Sequence, residues 1–225
     1  MINVTNICYF CDIIHYIYHM SIAEQIEKII LQMPSGSIFF ISDFMEIGND
    51  ITVRQALQRL TKRSLIIRLS RGIYYKPKQS SLLGIVYPTA EQIAQAIAKR
   101  DKTRIIPTGS YALFKLGLTT QIPMNVVFLT DGSARKIMVG KQKITFKKTS
   151  PRNLATTHKL TNLIVQGLKE LGEKNIDIKA KQRVTEIIKR SKEAEEVKRN
   201  IKSAPVWIKK IAFQIIKEIE NEQLA

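Results

Sequence analysis

Cysteine is almost absent from this sequence: among 225 residues the only cysteines are Cys8 and Cys11. So few cysteines exclude a framework of disulfide bonds, which is typical of a protein of the reducing cytoplasm. Both cysteines lie close in sequence to His15 and His19, but a single helix cannot arrange four such side chains around a tetrahedral zinc ion. We therefore predict neither a metal site nor a cofactor.

Lysine and arginine are absent from the first twenty residues. The segment therefore lacks the positively charged start of a secretory signal peptide, and it is too polar to span a bilayer. Directly after it, Ser21 and Glu24 have the spacing of a capping box at the start of a helix. We treat residues 1–20 as a segment apart, and we expect Met20 to be the true start of the protein. We expect no membrane partner.

Acidic residues are scarce in the middle of the chain, where residues 82–150 contain only Glu91, Asp101 and Asp131. A metal-dependent nuclease needs clustered carboxylates, and these three lie on different predicted elements. The segment 107–110, between a predicted strand and a predicted helix, lacks the further glycines and the lysine of a phosphate-binding loop. These absences predict that the protein is not an enzyme and has no catalytic residues.

Positive charge, in contrast, is abundant. The sequence has 36 lysines and arginines against 19 acidic residues, which gives a formal net charge of +17. Two stretches contain basic residues and no acid: residues 54–78 hold eight, and residues 135–148 hold six. Charge of one sign at this density favours a polyanionic partner, which means duplex DNA or folded RNA.

The predicted elements of residues 21–78 occur in the order of a winged helix-turn-helix domain. Apolar residues at helical spacing predict a first helix from Ser21 onward. A short second helix is predicted over residues 43–47, and Thr52 is predicted to open a third. Two apolar segments then flank Gly72, as the strands of a hairpin flank a turn that needs positive φ.

The third predicted helix has a polar face that suits the major groove of DNA. Arginine and glutamine can each make two hydrogen bonds to a base edge, arginine to guanine and glutamine to adenine. Cations at the end of the helix and at the hairpin tip can contact phosphates. The predicted DNA-contacting residues are Arg54, Gln55, Gln58, Arg59, Lys62, Arg63, Arg68 and Arg71.

The rest of the chain predicts an α/β domain over residues 82–172, after a polar joint at 78–81. A long helix is predicted to begin at Ser150 and Pro151, with serine as N-cap and proline in the first position. Residues 173–225 predict a helical tail. The fold class is thus α+β, with an N-terminal winged helix-turn-helix followed by an α/β domain with a helical C-terminal tail.

The second basic stretch is predicted to form two strands around Gly140. We interpret it as a candidate second nucleic-acid surface, because its cations have no acidic residue between them. Its members are Arg135, Lys136, Lys141, Lys143, Lys147 and Lys148.

Several motifs resemble the N-terminal domain of AbiE-type antitoxins. They are GSIFF (36–40), SDF (42–44), VRQALQRL (53–60) and RLSRGIYY (68–75). In the second half, PTG (107–109), AL (112–113), LGLTTQ (116–121) and FLTDG (128–132) resemble the core of an uncharacterised branch of that group. The likeness covers residues 21–171.

The resemblance implies an antitoxin of a type IV toxin–antitoxin, or abortive-infection, system. It implies a winged helix that represses its own operon, with the third helix reading the operator. Arg68, Arg71 and Lys76 would hold the DNA backbone. It also implies that the C-terminal domain counters a nucleotidyltransferase toxin, without the two proteins needing to form a stable complex.

Two other functions stay open. One is a stand-alone winged-helix transcription factor whose C-terminal domain binds a small ligand or dimerises. The other is an RNA-binding protein, because a strongly basic domain can equally face folded RNA. A neighbouring nucleotidyltransferase gene would favour the antitoxin, and competition between tRNA and duplex DNA would test the RNA-binding alternative.

Overall fold

The computed structural model describes residues 20–154 and 156–224. The first nineteen residues, with their two cysteines and two histidines and the predicted extension, lie outside the described residues. The chain divides into two compact units, one ending at Thr89 and the other beginning at Ala90. Both units combine helices with strands, so the prediction of an α+β protein is confirmed.

The first unit contains two helices and five short strands among its described residues. Its elements are α1 (Ile22–Gln32), β1 (Ile38–Phe40), a 3-10 helix (Ile41–Phe44), α2 (Asp50–Lys62), β2 (Ile67–Ser70), β3 (Ile73–Tyr75), β4 (Lys78–Ser80) and β5 (Gly84–Val86). The strands β1, β3 and β2 form an antiparallel sheet in that order, and β4 pairs with β5 alone. Residues 78–81, predicted as a polar joint, therefore lie largely in β4.

Capping side chains set the helix starts of the first unit. The capping box of α1 is confirmed: the Ser21 hydroxyl accepts the backbone N–H of Glu24 at 3.3 Å, and the Glu24 carboxylate accepts that of Ser21 at 2.8 Å. The predicted start of α2 at Thr52 is wrong. The Asn49 side chain accepts the N–H of Thr52 at 2.9 Å, so Asn49 is the N-cap and the helix begins at Asp50.

The hydrophobic core of the first unit joins α1 and α2 to the three-stranded sheet. The helix predicted over residues 43–47 is wrong: residues 43 and 44 end the 3-10 helix Ile41–Phe44, which brings Phe44 into this core, and residues 45–47 form a turn. Phe44 packs edge-on against Phe39, and Phe39 stacks on Tyr74 with ring centroids 5.9 Å apart. The buried residues of this cluster are Ile26, Ile30, Phe39, Ile41, Phe44, Val53, Ala56, Leu57, Leu60, Ile66 and Tyr74.

The second unit contains a four-stranded sheet and six helices among its described residues. Its elements are α3 (Ala90–Arg100), β6 (Ile105–Thr108), α4 (Ser110–Lys115), β7 (Asn125–Thr130), β8 (Arg135–Val139), β9 (Gln142–Lys148), a 3-10 helix (Pro151–Leu154), α5 (Lys159–Leu171), a 3-10 helix (Glu173–Asn175), α6 (Ile178–Ser191), α7 (Ala194–Asn200), a 3-10 helix (Ile201–Ser203) and α8 (Val206–Leu224). The strand order is β6-β7-β9-β8. In this order β6 is an edge strand. The pair β7 and β9 is parallel, and the other two pairs are antiparallel.

The helices predicted as a tail pack in a shared core with α5. Ile164 and Leu168 of α5 are buried together with Val184 of α6, Val197 of α7 and Ile215 of α8. Each of these helices thus buries an apolar face against its neighbours, which is what holds an amphipathic helix in a folded protein. Within the described ranges, no helix has both the length and the apolar character needed to cross a membrane.

The predicted start of the long helix at Ser150 is wrong. Pro151–Leu154 form a 3-10 helix, and α5 begins only at Lys159. Its N-cap is His158, whose Nδ1 accepts the N–H of Thr161 at 3.4 Å and lies 2.7 Å from the Thr161 hydroxyl. The end at Gly172 is as predicted, with a φ of +80° there.

Candidate nucleic-acid interface

The exposed face of α2 lies opposite the face that the helix buries. Four residues at the spacing i, i+3, i+4, i+7 are buried: Val53, Ala56, Leu57 and Leu60. Four residues with the same spacing, two positions later, are exposed: Gln55, Gln58, Arg59 and Lys62. Because each residue turns the helix by about 100°, a shift of two residues points the second set away from the core. We call these four residues the α2 row.

The other two arginines predicted on this helix have acidic partners. Arg54 Nε donates to Asp50 at 2.5 Å, and this hydrogen bond raises the pKa of Arg54. Arg63, at the end of α2, donates to Glu27 of α1 at 2.7 Å. Both arginines are exposed, but a phosphate or base would have to compete with a carboxylate for their guanidinium groups.

Four of the predicted DNA-contacting cations form no ion pair within the described part of the first unit. Arg59 and Lys62 belong to the α2 row, Arg68 lies on β2, and Arg71 lies in the turn between β2 and β3. Gly72 gives that turn its positive φ of +75°, as the sequence predicted. All four side chains are exposed, so an external anion can bind them without displacing a carboxylate.

Lys76 occupies a different environment from the other predicted contacts. Its Nζ donates to the carbonyl oxygens of Leu31 at 2.7 Å and Met33 at 2.6 Å, at the C-terminal end of α1. Carbonyls at a helix end have no partner within the helix, and a lysine there also suits the helix dipole. The ammonium group thus stabilises α1, and Lys76 is only half-exposed, whereas Arg68 and Arg71 are exposed.

The predicted second basic surface is divided between the two faces of the sheet. Alternation along β8 and β9 places Lys136, Lys143 and Lys147 on one face. Arg135 and Lys148 lie on the opposite face, and Lys141 lies in the turn between the strands.

Arg135 is also engaged within the unit. It donates to Asp101, and its guanidinium lies 5.2 Å from the ring centroid of Phe146. Burial opposes ionisation of Asp101, but hydrogen bonds from Arg100 and Arg135 outweigh it and lower the pKa of Asp101. The charge of Arg135 is therefore compensated locally, and three exposed or half-exposed lysines remain together on one face.

Gly117 of the LGLTTQ motif (116–121) and Asp131 of the FLTDG motif (128–132) each have a defined structural role in the second unit. Gly117 has a φ of +65°, and a Cβ placed there would lie 2.7 Å from the guanidinium of Arg183, which donates to the Leu116 carbonyl at 3.2 Å. The carboxylate of Asp131 accepts the backbone N–H of Arg104 at 2.8 Å and its Nε at 2.9 Å. These hydrogen bonds lower the pKa of Asp131.

A cavity in the second unit was not predicted from the sequence. It has a volume of about 490 Å³ and lies against the edge strand β6, between α3 and α5. At one side Glu91 accepts hydrogen bonds from Tyr111 at 3.0 Å and Lys115 at 2.9 Å. Burial, followed by the negative charge of Glu91, raises the pKa of Tyr111. The lining comes from segments far apart in sequence, so no local motif signals it.

Comparisons with known proteins identify a family and a distant structural likeness. Residues 25–196 match the family described as "Family of unknown function (DUF6088)". The fold is similar to the crystal structure of the RV2827C protein from Mycobacterium tuberculosis, with a TM-score of 0.45 and 10% sequence identity over 87% of this chain and 76% of that one. A sequence search of curated proteins gave no match.

Proposed function

The chain belongs to DUF6088, a family of unknown function, and we propose that it is a cytoplasmic DNA-binding antitoxin that represses its own type IV toxin–antitoxin operon. The first unit would be a winged helix-turn-helix, with α2 in the major groove and the β2–β3 hairpin as the wing. The observation that carries the proposal is the α2 row, which turns two glutamines and two cations directly away from the core, and neither cation has an ion-pair partner among the described residues.

The alternative, a merely solvated helix face, explains this row less well. Solvated faces usually mix charges of both signs, which limits self-repulsion. Here the chain from Arg54 to Lys78 has no acid at all, and Asp50 and Glu27, which lie before this stretch, pair with arginines outside the row. Concentrated positive charge next to side chains that can read base edges supports a DNA surface.

Fluorescence anisotropy tests the proposal with the full chain, a duplex from its own upstream region and a scrambled duplex, over a series of salt concentrations. We expect the upstream duplex to be preferred at physiological salt. Arg59→Ala should weaken that binding by ~1–3 kcal/mol, the range for one lost base contact. Arg63→Ala removes the same charge from the C-cap of the same helix, but the Glu27 pair already compensates it, so its effect should be smaller.

Equal affinity for both duplexes, falling steeply with salt, would contradict operator recognition and leave only phosphate contacts. Equal losses from Arg59→Ala on the two duplexes would contradict base reading by this side chain. Preference for tRNA over both duplexes would favour the RNA-binding function instead.

The proposed antitoxin function rests on the resemblance of motifs in both units to those of AbiE-type antitoxins. Co-expression with a nucleotidyltransferase encoded beside this gene tests it, with growth as the readout. We expect the chain to restore growth, and Arg59→Ala to lose repression while keeping the rescue. If no such gene lies nearby, or if growth is not restored, the stand-alone regulator becomes the better function, and the cavity in the second unit favours it as a ligand-binding site.

A further inference from the structure

We propose that the cavity between β6, α3 and α5 binds a small amphipathic anion, an alkyl or aryl carboxylate with a single negative charge. At about 490 Å³ it lies within the usual range for small-molecule sites. It is formed entirely by the second unit, and this proposal goes beyond operator binding by the first unit.

The wall of the cavity is mainly apolar. Ile106 and Phe128 of the sheet and Leu154 are each at most 4% exposed, and Leu160 and Leu163 of α5 are half-buried beside them. Apolar walls with a few placed polar groups are typical of small-ligand sites. Such a wall favours a ligand whose larger part is an alkyl chain or an aromatic ring.

The charged lining residues leave one cation uncompensated. Arg104 is held by Asp131 and by the Leu154 carbonyl at 3.0 Å, and Lys115 is held by Glu91. Lys159, the first residue of α5, forms no ion pair with any residue that the structure describes. A ligand with one negative charge would compensate Lys159 without breaking an existing pair.

A cationic ligand is disfavoured by the same arrangement. Glu91 is the one carboxylate of the lining, and it already accepts from Tyr111 and Lys115. Binding a cation there would mean displacing Lys115 and placing two positive charges near each other, which costs free energy in a partly buried site. The lining therefore selects for the sign of the ligand's charge as well as for its apolar body.

Competition against a fluorescent dye tests the proposal on the full chain without DNA. The dye is N-phenyl-1-naphthylamine, which is uncharged and brightens in apolar surroundings, and the competitor is decanoate below its micelle concentration. We expect decanoate to displace the dye and decyltrimethylammonium, of equal chain length and opposite charge, to fail. Lys159→Gln should lower the affinity for decanoate roughly three- to tenfold and leave the affinity for the dye unchanged.

Two further variants separate the cavity from general surface charge. Lys169→Gln removes the same charge from the same helix outside the cavity and should leave decanoate binding unchanged. Leu163→Trp should reduce binding of both dye and decanoate, with folding checked by circular dichroism. The proposal is overturned if the dye does not bind, if decanoate does not displace it, or if Lys159→Gln and Lys169→Gln lower the affinity for decanoate equally. Since no DNA is present, these outcomes are independent of operator binding.

Discussion

Replacing Lys76 by methionine tests whether this lysine stabilises the first unit. Methionine keeps much of the apolar chain but has no donor, so the Leu31 and Met33 carbonyls both lose a charged partner. Hydrogen bonds to charged groups contribute ~1.5–3 kcal/mol each, but one of these two is solvent-exposed and contributes less. We therefore expect Lys76→Met to lower the free energy of unfolding of the first unit by about 2 kcal/mol.

Lys78→Met is the matched control, since it removes the same charge two residues later from an exposed side chain. Thermal unfolding by circular dichroism should show a lower midpoint for Lys76→Met alone, and amide exchange should be faster in α1. The single tryptophan, Trp207, lies in the second unit and would not report this change. Equal midpoints for the two variants, with weaker DNA binding by Lys76→Met, would refute the reasoning and return Lys76 to the DNA-contacting set.

Three further predictions concern the second unit, where Trp207 fluorescence in urea measures stability. Gly117→Ala should destabilise it by about 2 kcal/mol, because alanine is strained at positive φ and its Cβ would displace Arg183. Asp131→Asn should cost ~1 kcal/mol at neutral pH, because it removes an ionised acceptor of Arg104 that is partly exposed. His158→Ala should cost ~1 kcal/mol through loss of the N-cap of α5.

Each of these predictions has a control or an opposing outcome. Gly140→Ala shares the positive φ, +58°, but its Cβ would meet no atom within 4 Å, so it should cost less than Gly117→Ala. The pKa of Asp131 is lowered on folding, so its stabilisation is present above the unfolded value of 3.8 and is lost as pH falls through the folded value. Asp131→Asn should thus make the free energy of unfolding fall less steeply with decreasing pH in the acid range. An unchanged pH dependence would contradict this. His158→Asn should keep the N-cap and therefore the stability of the unit. If it destabilises the unit as much as His158→Ala does, that would count against a capping role.

Periodicity predicted the parts of the fold that packing alone decides. The burial of Val53, Ala56, Leu57 and Leu60 follows from their spacing, and so does the exposure of the α2 row. The turn at Gly72 was also predictable, because it needs a backbone conformation that glycine adopts most readily. Such signals are local, and tertiary contacts reinforce them.

Helix starts were predicted less well, because several nearby side chains can cap. Thr52 has the right residue type, but Asn49 comes first and accepts the hydrogen bond that defines the start. Ser150 followed by Pro151 has the residue types of an ideal helix start, yet α5 begins at Lys159. Its N-cap is His158, a residue type that sequence rules do not favour in that position. The choice depends on where the apolar face of α5 meets the core, which is tertiary information.

The charge of the sequence overstates the charge that is free to bind a partner. Of the eight basic residues between positions 54 and 78, two pair with acids that lie outside the stretch, and Lys76 caps a helix. A local count of acids misses both pairs, since Asp50 precedes the stretch and Glu27 lies on α1. In the second stretch, Arg135 is likewise compensated by Asp101, 34 residues earlier. Charge density in sequence thus indicates the sign of a partner, but only the fold decides which cations can meet it.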